Sequence, residues 1–502
     1  MQAKGNQLKI GVLLSYISRV IQILVGLIYT PIMIRLLGQN EFGLYNIATS
    51  IIAYLGILNF GFSSAYMRFY SRYKVENDEE NIAKLNGMFF SIFSLLGVVA
   101  ILAGIIVISN ISLIFGANLS SEEVRVAQIL MLILVINLGV SFPVIVFNTY
   151  IQANEKFIFQ NILQILRQIS TPLVNLPLLI IGYGSIGMVI GTVVVNIIVE
   201  VATVYYTVKK MKINFSFKNF DKELLKEMTV YSSYIFINMV VDQINNNIDK
   251  TILGRYSGTI QVAIYSVAAN LNNYYTQIST AVSNVFIPRV HRMVSANEDS
   301  NELTNLFTKI GRIQFILLSL ILSGFIIFGK PFIIIWAGAE YVSSYYVTLF
   351  LMTTITIPLI QNIGIEFQRA KNMHQFRSYL YLFMAIGNVV VSIPLSISYG
   401  AVGAAIGTAL SYVIGNGFVM NWYNHTKIGL NMIFFWKEIL RFIPAFLLPI
   451  IYGVVINNFV NLNRLVNLAA FGILYVIVFF VSIWFLGLNE YEKKLISNPF
   501  KK

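Results

Sequence analysis

The chain contains no cysteine in 502 residues. That absence excludes a disulfide framework, a thiolate zinc site and a cysteine nucleophile. Charge is also scarce. Asp, Glu, Lys and Arg together make up 11% of the residues, where a soluble domain carries roughly 25%. Histidine is limited to His291, His374 and His425, which fall in different inner loops without metal-ligand spacing. There is no Gly-x4-Gly-Lys-Ser/Thr phosphate loop, so the chain is not expected to be driven directly by ATP. No nucleophile–base arrangement stands out, and the loops are too short for a soluble catalytic domain. The reading is therefore not an enzyme.

What the chain has in abundance is apolar sequence. It is 57% hydrophobic with a mean hydropathy of +0.73, which defines an all-α polytopic membrane protein. Fourteen runs are long enough for about 30 Å of hydrocarbon. They lie near 11–36, 43–67, 87–108, 125–149, 157–181, 186–208, 229–253, 261–287, 310–335, 344–366, 378–398, 402–423, 440–457 and 465–487. The first run lacks a small-residue cleavage site and reads as a retained span. The net charge of +13 follows membrane topology. Lys209, Lys210, Lys212, Lys218, Lys222 and Lys226 crowd one inner loop, whereas all the outer segments together hold only Arg35, Arg255, Lys330 and Arg464. Positive residues stay inside, so both termini are placed in the cytoplasm and no nucleic-acid partner is expected.

The sequence also repeats itself. Tyr183-Gly184-x2-Gly187-x3-Gly191-Thr192 recurs as Tyr399-Gly400-x2-Gly403-x3-Gly407-Thr408. Tyr45, Tyr54 and Arg72 find counterparts in Tyr265, Tyr274 and Arg292. Spans 1–6 thus repeat as spans 7–12 in the same orientation. The implied organisation is an N-terminal lobe over 1–210, a C-terminal lobe over 211–425, and two extra helices with a tail over 426–502. Matching Gly38 to Gly254 aligns Gln22 with Asn238 and Gly26 with Asp242. The glycine pairs read as small-x3-small packing seams, with substrate contact as the alternative.

Candidate site residues come from polar faces inside apolar spans. In span 7, Asn238, Asp242, Asn245 and Asp249 share one helical face. A carboxylate at bilayer depth is costly, so such a face should line a wet cavity. In span 1, Ser15, Arg19, Gln22, Gly26 and Tyr29 form a similar stripe. Span 8 adds Asn270, Asn273, Gln277, Thr280 and Asn284, either as interhelical glue or as chamber wall. Span 5 adds Gln160, Gln164, Arg167 and Thr171. Arg19 either snorkels or pairs structurally, or it binds an anionic group, for which a permanently charged bidentate guanidinium is suited. Arg167 is a weaker candidate for that role and Arg312 weaker still. Glu200 and Glu366 either pair with nearby arginines or belong to an ion path.

The segments Leu36-Leu37-Gly38-Gln39-Asn40-Glu41-Phe42-Gly43-Leu44-Tyr45 and Gly56-x4-Gly61-Phe62-Ser63-Ser64-Ala65 resemble the opening motifs of Wzx-type polysaccharide flippases. These belong to the multidrug/oligosaccharidyl-lipid/polysaccharide exporter superfamily, and the Tyr-Gly-x2-Gly-x3-Gly-Thr repeats also resemble a segment of that family. The likeness runs over essentially the whole chain. It implies a V-shaped pair of six-helix lobes plus two C-terminal helices, working by alternating access in the bacterial cytoplasmic membrane. The implied cargo is an undecaprenyl-pyrophosphate-linked oligosaccharide for capsule, O-antigen or exopolysaccharide synthesis. Arg19 and Arg167 would take the pyrophosphate, with the amides and acids of spans 7 and 8 facing sugars or a coupling Na+ or H+. No cofactor is implied. Membrane lipids, a polymerase and a chain-length regulator would be the other partners. The rival readings are a cation-coupled multidrug antiporter, a lipid II flippase, a membrane polysaccharide polymerase and a non-transporting scaffold.

Overall fold

The computed structural model describes residues 2–218, 221–373 and 375–497. His374 and the tail lysines Lys501 and Lys502 lie outside the described residues. Among those described, helices carry nearly everything and there is no strand. The chain divides into two compact units, Met1–Ala263 and Ile264–Lys502.

The first unit holds α1 (Gln2–Leu55), α2 (Phe62–Val75), α3 (Glu79–Ser109), α4 (Ile111–Phe115), α5 (Ser121–Ala153), α6 (Phe157–Ile180), α7 (Gly184–Tyr205), α8 (Lys222–Tyr256) and the first turn of α9 (Thr259–Ser295). The second holds the rest of α9, then α10 (Ser300–Trp336), α11 (Ser343–Ile360), α12 (Gly364–Ala370), α13 (Gln375–Tyr412), α14 (Met420–Tyr423), α15 (Met432–Leu440), α16 (Leu447–Phe459), α17 (Leu465–Leu486) and α18 (Glu490–Ser497). Nine helices among the described residues are long and apolar enough to cross a membrane. Two of these, Ile10–Val75 and Gln375–Ile428, each carry two of the expected spans. The expected spans 5, 7 and 8 fall on α6, α8 and α9, whose apolar runs are interrupted by amide and charged side chains. Every expected span therefore lies largely on helix, with turns at 60–61, 361–363 and 441–442 interrupting spans 2, 10 and 13.

The repeat is written into the turns. Left-handed residues recur in pairs: Gly38 (φ 72°) with Gly258 (φ 83°), Asn77 (54°) with Asn297 (51°), and Gly184 (57°) with Gly400 (57°). The first pair corrects one alignment made from sequence. The knee after span 7 is Gly258, whereas Gly254 is helical and packs against Phe115 and Ile47. A knee between two long helices needs positive φ, which glycine adopts without steric cost. The register there is thus four residues later, and Gln22 corresponds to Asp242. The later Gly184/Gly400 pair keeps the spacing that was read from sequence.

The glycine seams are packing devices. A Cβ on Gly403 would sit 1.9 Å from the Leu395 carbonyl oxygen, and one on Gly407 would sit 2.2 Å from Ser392 Oγ. Thr192 Oγ1 accepts from Asn175 Nδ2 at 2.9 Å, and in the second repeat Ser392 Oγ donates to Asn388 Oδ1 at 2.7 Å. Small residues let helices touch, and the polar groups so buried then satisfy one another.

The 38–43 motif is structural too. The Glu41 carboxylate accepts from the Ser185 backbone N–H at 2.7 Å, which places an anion at the start of α7, where the helix dipole favours it. Gly43 leaves room for the Thr259 carbonyl, which would lie 2.1 Å from any Cβ. The core of the first unit is aromatic, with Phe62, Tyr66, Phe69, Tyr70, Phe89, Phe93 and Phe142 all buried. Tyr66 donates to Asn86 Oδ1 at 2.6 Å, and Asn86 Nδ2 donates to the Asn214 carbonyl at 2.9 Å. With Ser216 N–H bonded to the Ala83 carbonyl at 2.8 Å, the segment after α7 is strapped extended along α3.

Candidate functional site

Within the first unit α1 packs against both α6 and α8, and these three helices carry seven of the ten residues singled out from sequence. Arg19 and Gln22 on α1, Arg167 on α6, and Asn238 and Asp242 on α8 are exposed. Asn245 is half-buried. Asp249 is only 3% exposed, so it sits in the packing of α8 and not on its open side. The open side of α8 runs instead through Asn238, Asp242, Asn246 and Lys250, at steps of four residues, with Lys250 half-buried. Asn246 and Lys250 were not placed on this face by the sequence pattern. Stepping by four throughout, in place of alternating three and four, would have found them.

The floor beneath α6 is also polar. Ser18 Oγ lies 3.5 Å from Gln168 Oε1, and Asn161 Nδ2 donates to the Gly11 carbonyl at 3.0 Å. Glu200 on α7 accepts from Ser141 Oγ at 2.5 Å and lies within electrostatic reach of Arg167. Among the described residues the two groups make no ion pair, and the hydrogen-bond partner of Glu200 is Ser141. Between α2 and α3, Asp78 caps α3 by accepting from the Asn81 backbone N–H at 2.9 Å. That bond holds its carboxyl below the usual range.

The other three candidates belong to the second unit. On α9, Asn273 is exposed while Asn270 and Gln277 are half-buried. The opposite face of α9 is glue. Gln314 Nε2 donates to Ser283 Oγ at 2.6 Å and to Ser279 Oγ at 2.9 Å, and the Tyr275 and Thr356 hydroxyls meet at 2.6 Å. The interhelical bonds of this face are thus made by Tyr275, Ser279 and Ser283, and not by Asn270 or Asn273. Glu366 is paired, 2.7 Å from Arg369 Nη1 and 3.3 Å from His291 Nε2.

Arg312 is not an anion-binding candidate. Its side chain is 3% exposed. The guanidinium donates from Nε and Nη2 to the Glu492 carboxylate at 2.6 and 2.8 Å, and from Nη1 to the Glu438 carbonyl at 2.7 Å and its carboxylate at 3.3 Å. Nη2 also reaches the Gly487 carbonyl at 3.0 Å, and the Phe442 ring lies 4.3 Å away. All five of its donors are used.

Long apolar helices bearing a charged face within one unit define a multi-pass membrane protein of transporter type. A family model described as polysaccharide biosynthesis protein matches residues 8–294, and the chain belongs to that family, as its resemblance to Wzx-type flippases implied. A Shigella flexneri protein named as an O-antigen transporter is 20% identical over 398 residues, covering 77% of this chain and 90% of that one. A Haloferax volcanii protein named as the flippase AglR is 20% identical over 418 residues, covering 82% of each. Among solved structures, the lipid II flippase MurJ aligns with a TM-score of 0.74 at 18% identity, over 95% of this chain and 98% of that one. A multidrug transporter of the MATE family in the MOP superfamily aligns at 0.65 and 14% identity, over 81% and 96%. At these identities the structural likeness is one of fold.

Proposed function

We propose that this protein is a flippase that carries undecaprenyl-pyrophosphate-linked oligosaccharide units across the bacterial cytoplasmic membrane by alternating access. The observation that carries this reading is the exposed face of Arg19, Gln22, Arg167, Asn238 and Asp242 on three helices of the first unit, in a chain of the polysaccharide biosynthesis family. Sugar hydroxyls and phosphate oxygens lose their water in hydrocarbon, at several kcal/mol for each unsatisfied polar group. A polar face removes that penalty only if it offers partners of the right type. Arg19, near the cytoplasmic end of α1, offers paired N–H donors and a fixed charge to the diphosphate. Arg167, on α6, is the second such donor and contributes less. Asn238, Asp242 and Asn245 offer hydrogen bonds to hydroxyls, and the acids offer a place for a coupling Na+ or H+. The termini then lie in the cytoplasm, as the lysine and arginine bias favours, and a polymerase and chain-length regulator would act on the delivered cargo.

The test is translocation of a fluorescent lipid-diphosphate oligosaccharide in reconstituted vesicles. Wild type is expected to move it, and correctly inserted Arg19→Ala to move it at least 10-fold more slowly. Exchange of organic cations for Na+ or H+, with no glycolipid movement, would replace this reading with the antiporter. Movement of lipid II alone would narrow the cargo to a peptidoglycan precursor.

A further inference from the structure

Lys250 is the one basic side chain on the open stripe of α8, and it has no role so far. It follows Asn238, Asp242 and Asn246 at steps of four residues, about two turns or 12 Å beyond Asp242 along the helix. It lies toward the end of α8 that the topology places outside, whereas Arg19 lies toward the inner end of α1. The side chain is half-buried and makes no hydrogen bond or ion pair among the described residues. Its neighbour one turn on behaves differently. Arg255 donates from Nη1 to the carbonyls of Leu113 and Ile114 at 2.6 and 2.9 Å, so its charge is spent on closing α4.

We infer that Lys250 is a second anion-binding residue, which holds the diphosphate of the cargo in the outer half of the path after Arg19 releases it. This rests on the flippase reading above. An ammonium without a partner at membrane depth is costly, and such residues mark a substrate or ion pathway. A lysine that merely snorkels lies on an apolar, lipid-facing surface and reaches for the headgroups. Lys250 instead continues a stripe of two amides and a carboxylate, which belongs to a wet surface. Two cations at opposite depths, with Asp242 between them on α8, give the diphosphate a station on each side and a repulsive step between. A site that binds at both ends and holds tightly at neither lets an anion leave as well as enter.

Because the chain has no native cysteine, Lys250→Cys in the full-length protein can be labelled without background. In the wild-type protein, modification of the Lys250 amine by a membrane-impermeant sulfo-N-hydroxysuccinimide ester, read by mass spectrometry, is expected to slow at least 5-fold in the presence of farnesyl diphosphate and not with farnesol. In translocation assays Lys250→Met is expected to be at least 10-fold slower than wild type, with Lys250→Arg within 3-fold. Aminoethyl modification of Lys250→Cys should restore transport, and sulfonatoethyl modification should not. Equal labelling rates with and without diphosphate, or wild-type transport by Lys250→Met, would overturn the inference and leave an interfacial anchor. If labelling is protected but no glycolipid moves in wild type, the anion site stands and the flippase reading falls.

Discussion

Arg19 and Arg312 are both arginines within or at the margin of membrane helices, and their surroundings assign them opposite tasks. Arg19 stands on the exposed face of α1 in the first unit. Arg312 is buried in the second, between Glu438 and Glu492, with a phenylalanine ring over it. The second arrangement ties α10 to the C-terminal end of α15 and to α18, so it joins the helix of span 9 to the entry of span 13 and the exit of span 14. A charge whose donors are all taken fixes structure. Arg19 sits where a diffusing solute can reach it, whereas Arg312 does not. Residue type and depth alone do not separate these cases.

The largest expected effect sits at the buried cluster. Arg312→Ala leaves the buried Glu492 carboxylate without its guanidinium and Glu438 with Arg441 alone, and should destabilise the protein by about 3–5 kcal/mol, read as a fall in Tm and in recovered protein. The triple replacement Arg312→Met, Glu438→Gln, Glu492→Gln should recover most of that loss, since the cost of a broken pair is mainly the charge left behind. If the single substitution were tolerated, the contrast with Arg19 would collapse. Next in size is Gly403→Ala, which sets a methyl against the Leu395 carbonyl and should cost about 1–3 kcal/mol through overpacking. Arg19→Ala should shift stability by no more than about 0.5 kcal/mol, as surface substitutions do, while transport collapses. A stability loss matching that of Arg312→Ala would make Arg19 structural as well.

The smallest effect is at the α3 cap. The folded-state pKa of Asp78 is depressed, so its contribution is fully present above the unfolded carboxylate pKa and is lost as pH falls through the folded one. Asp78→Asn keeps a good cap but cannot titrate. Amide exchange at Asn81 should accelerate on acidification in wild type and stay flat in the variant.

Much of the fold was legible because hydrocarbon imposes a simple rule. Spans must be long, apolar and helical, and each expected span lies largely on helix. The repeat was visible in Tyr-Gly-x2-Gly-x3-Gly-Thr because tight helix contact leaves few choices of residue. Its register at the first knee was misread because Gly254 and Gly258 look alike as letters, and only the backbone says which one turns. The site was less legible. The stripe on α8 was read through Asp249, which packs inward, and so it missed Lys250, one residue further on. Arg312 was a candidate only because its partners, Glu438 and Glu492, lie 126 and 180 residues away.

The sequence by itself determined the solvent this protein lives in, the helices that meet it, and the recurrence of its turn residues. Each of these depends on composition and short-range spacing, which survive without knowing what touches what. The tertiary structure decided which polar side chains are spent on one another and which stay open. That outcome depends on packing between segments far apart in the chain. It is what makes Arg312 and Asp249 buried and Arg19 and Asp242 exposed.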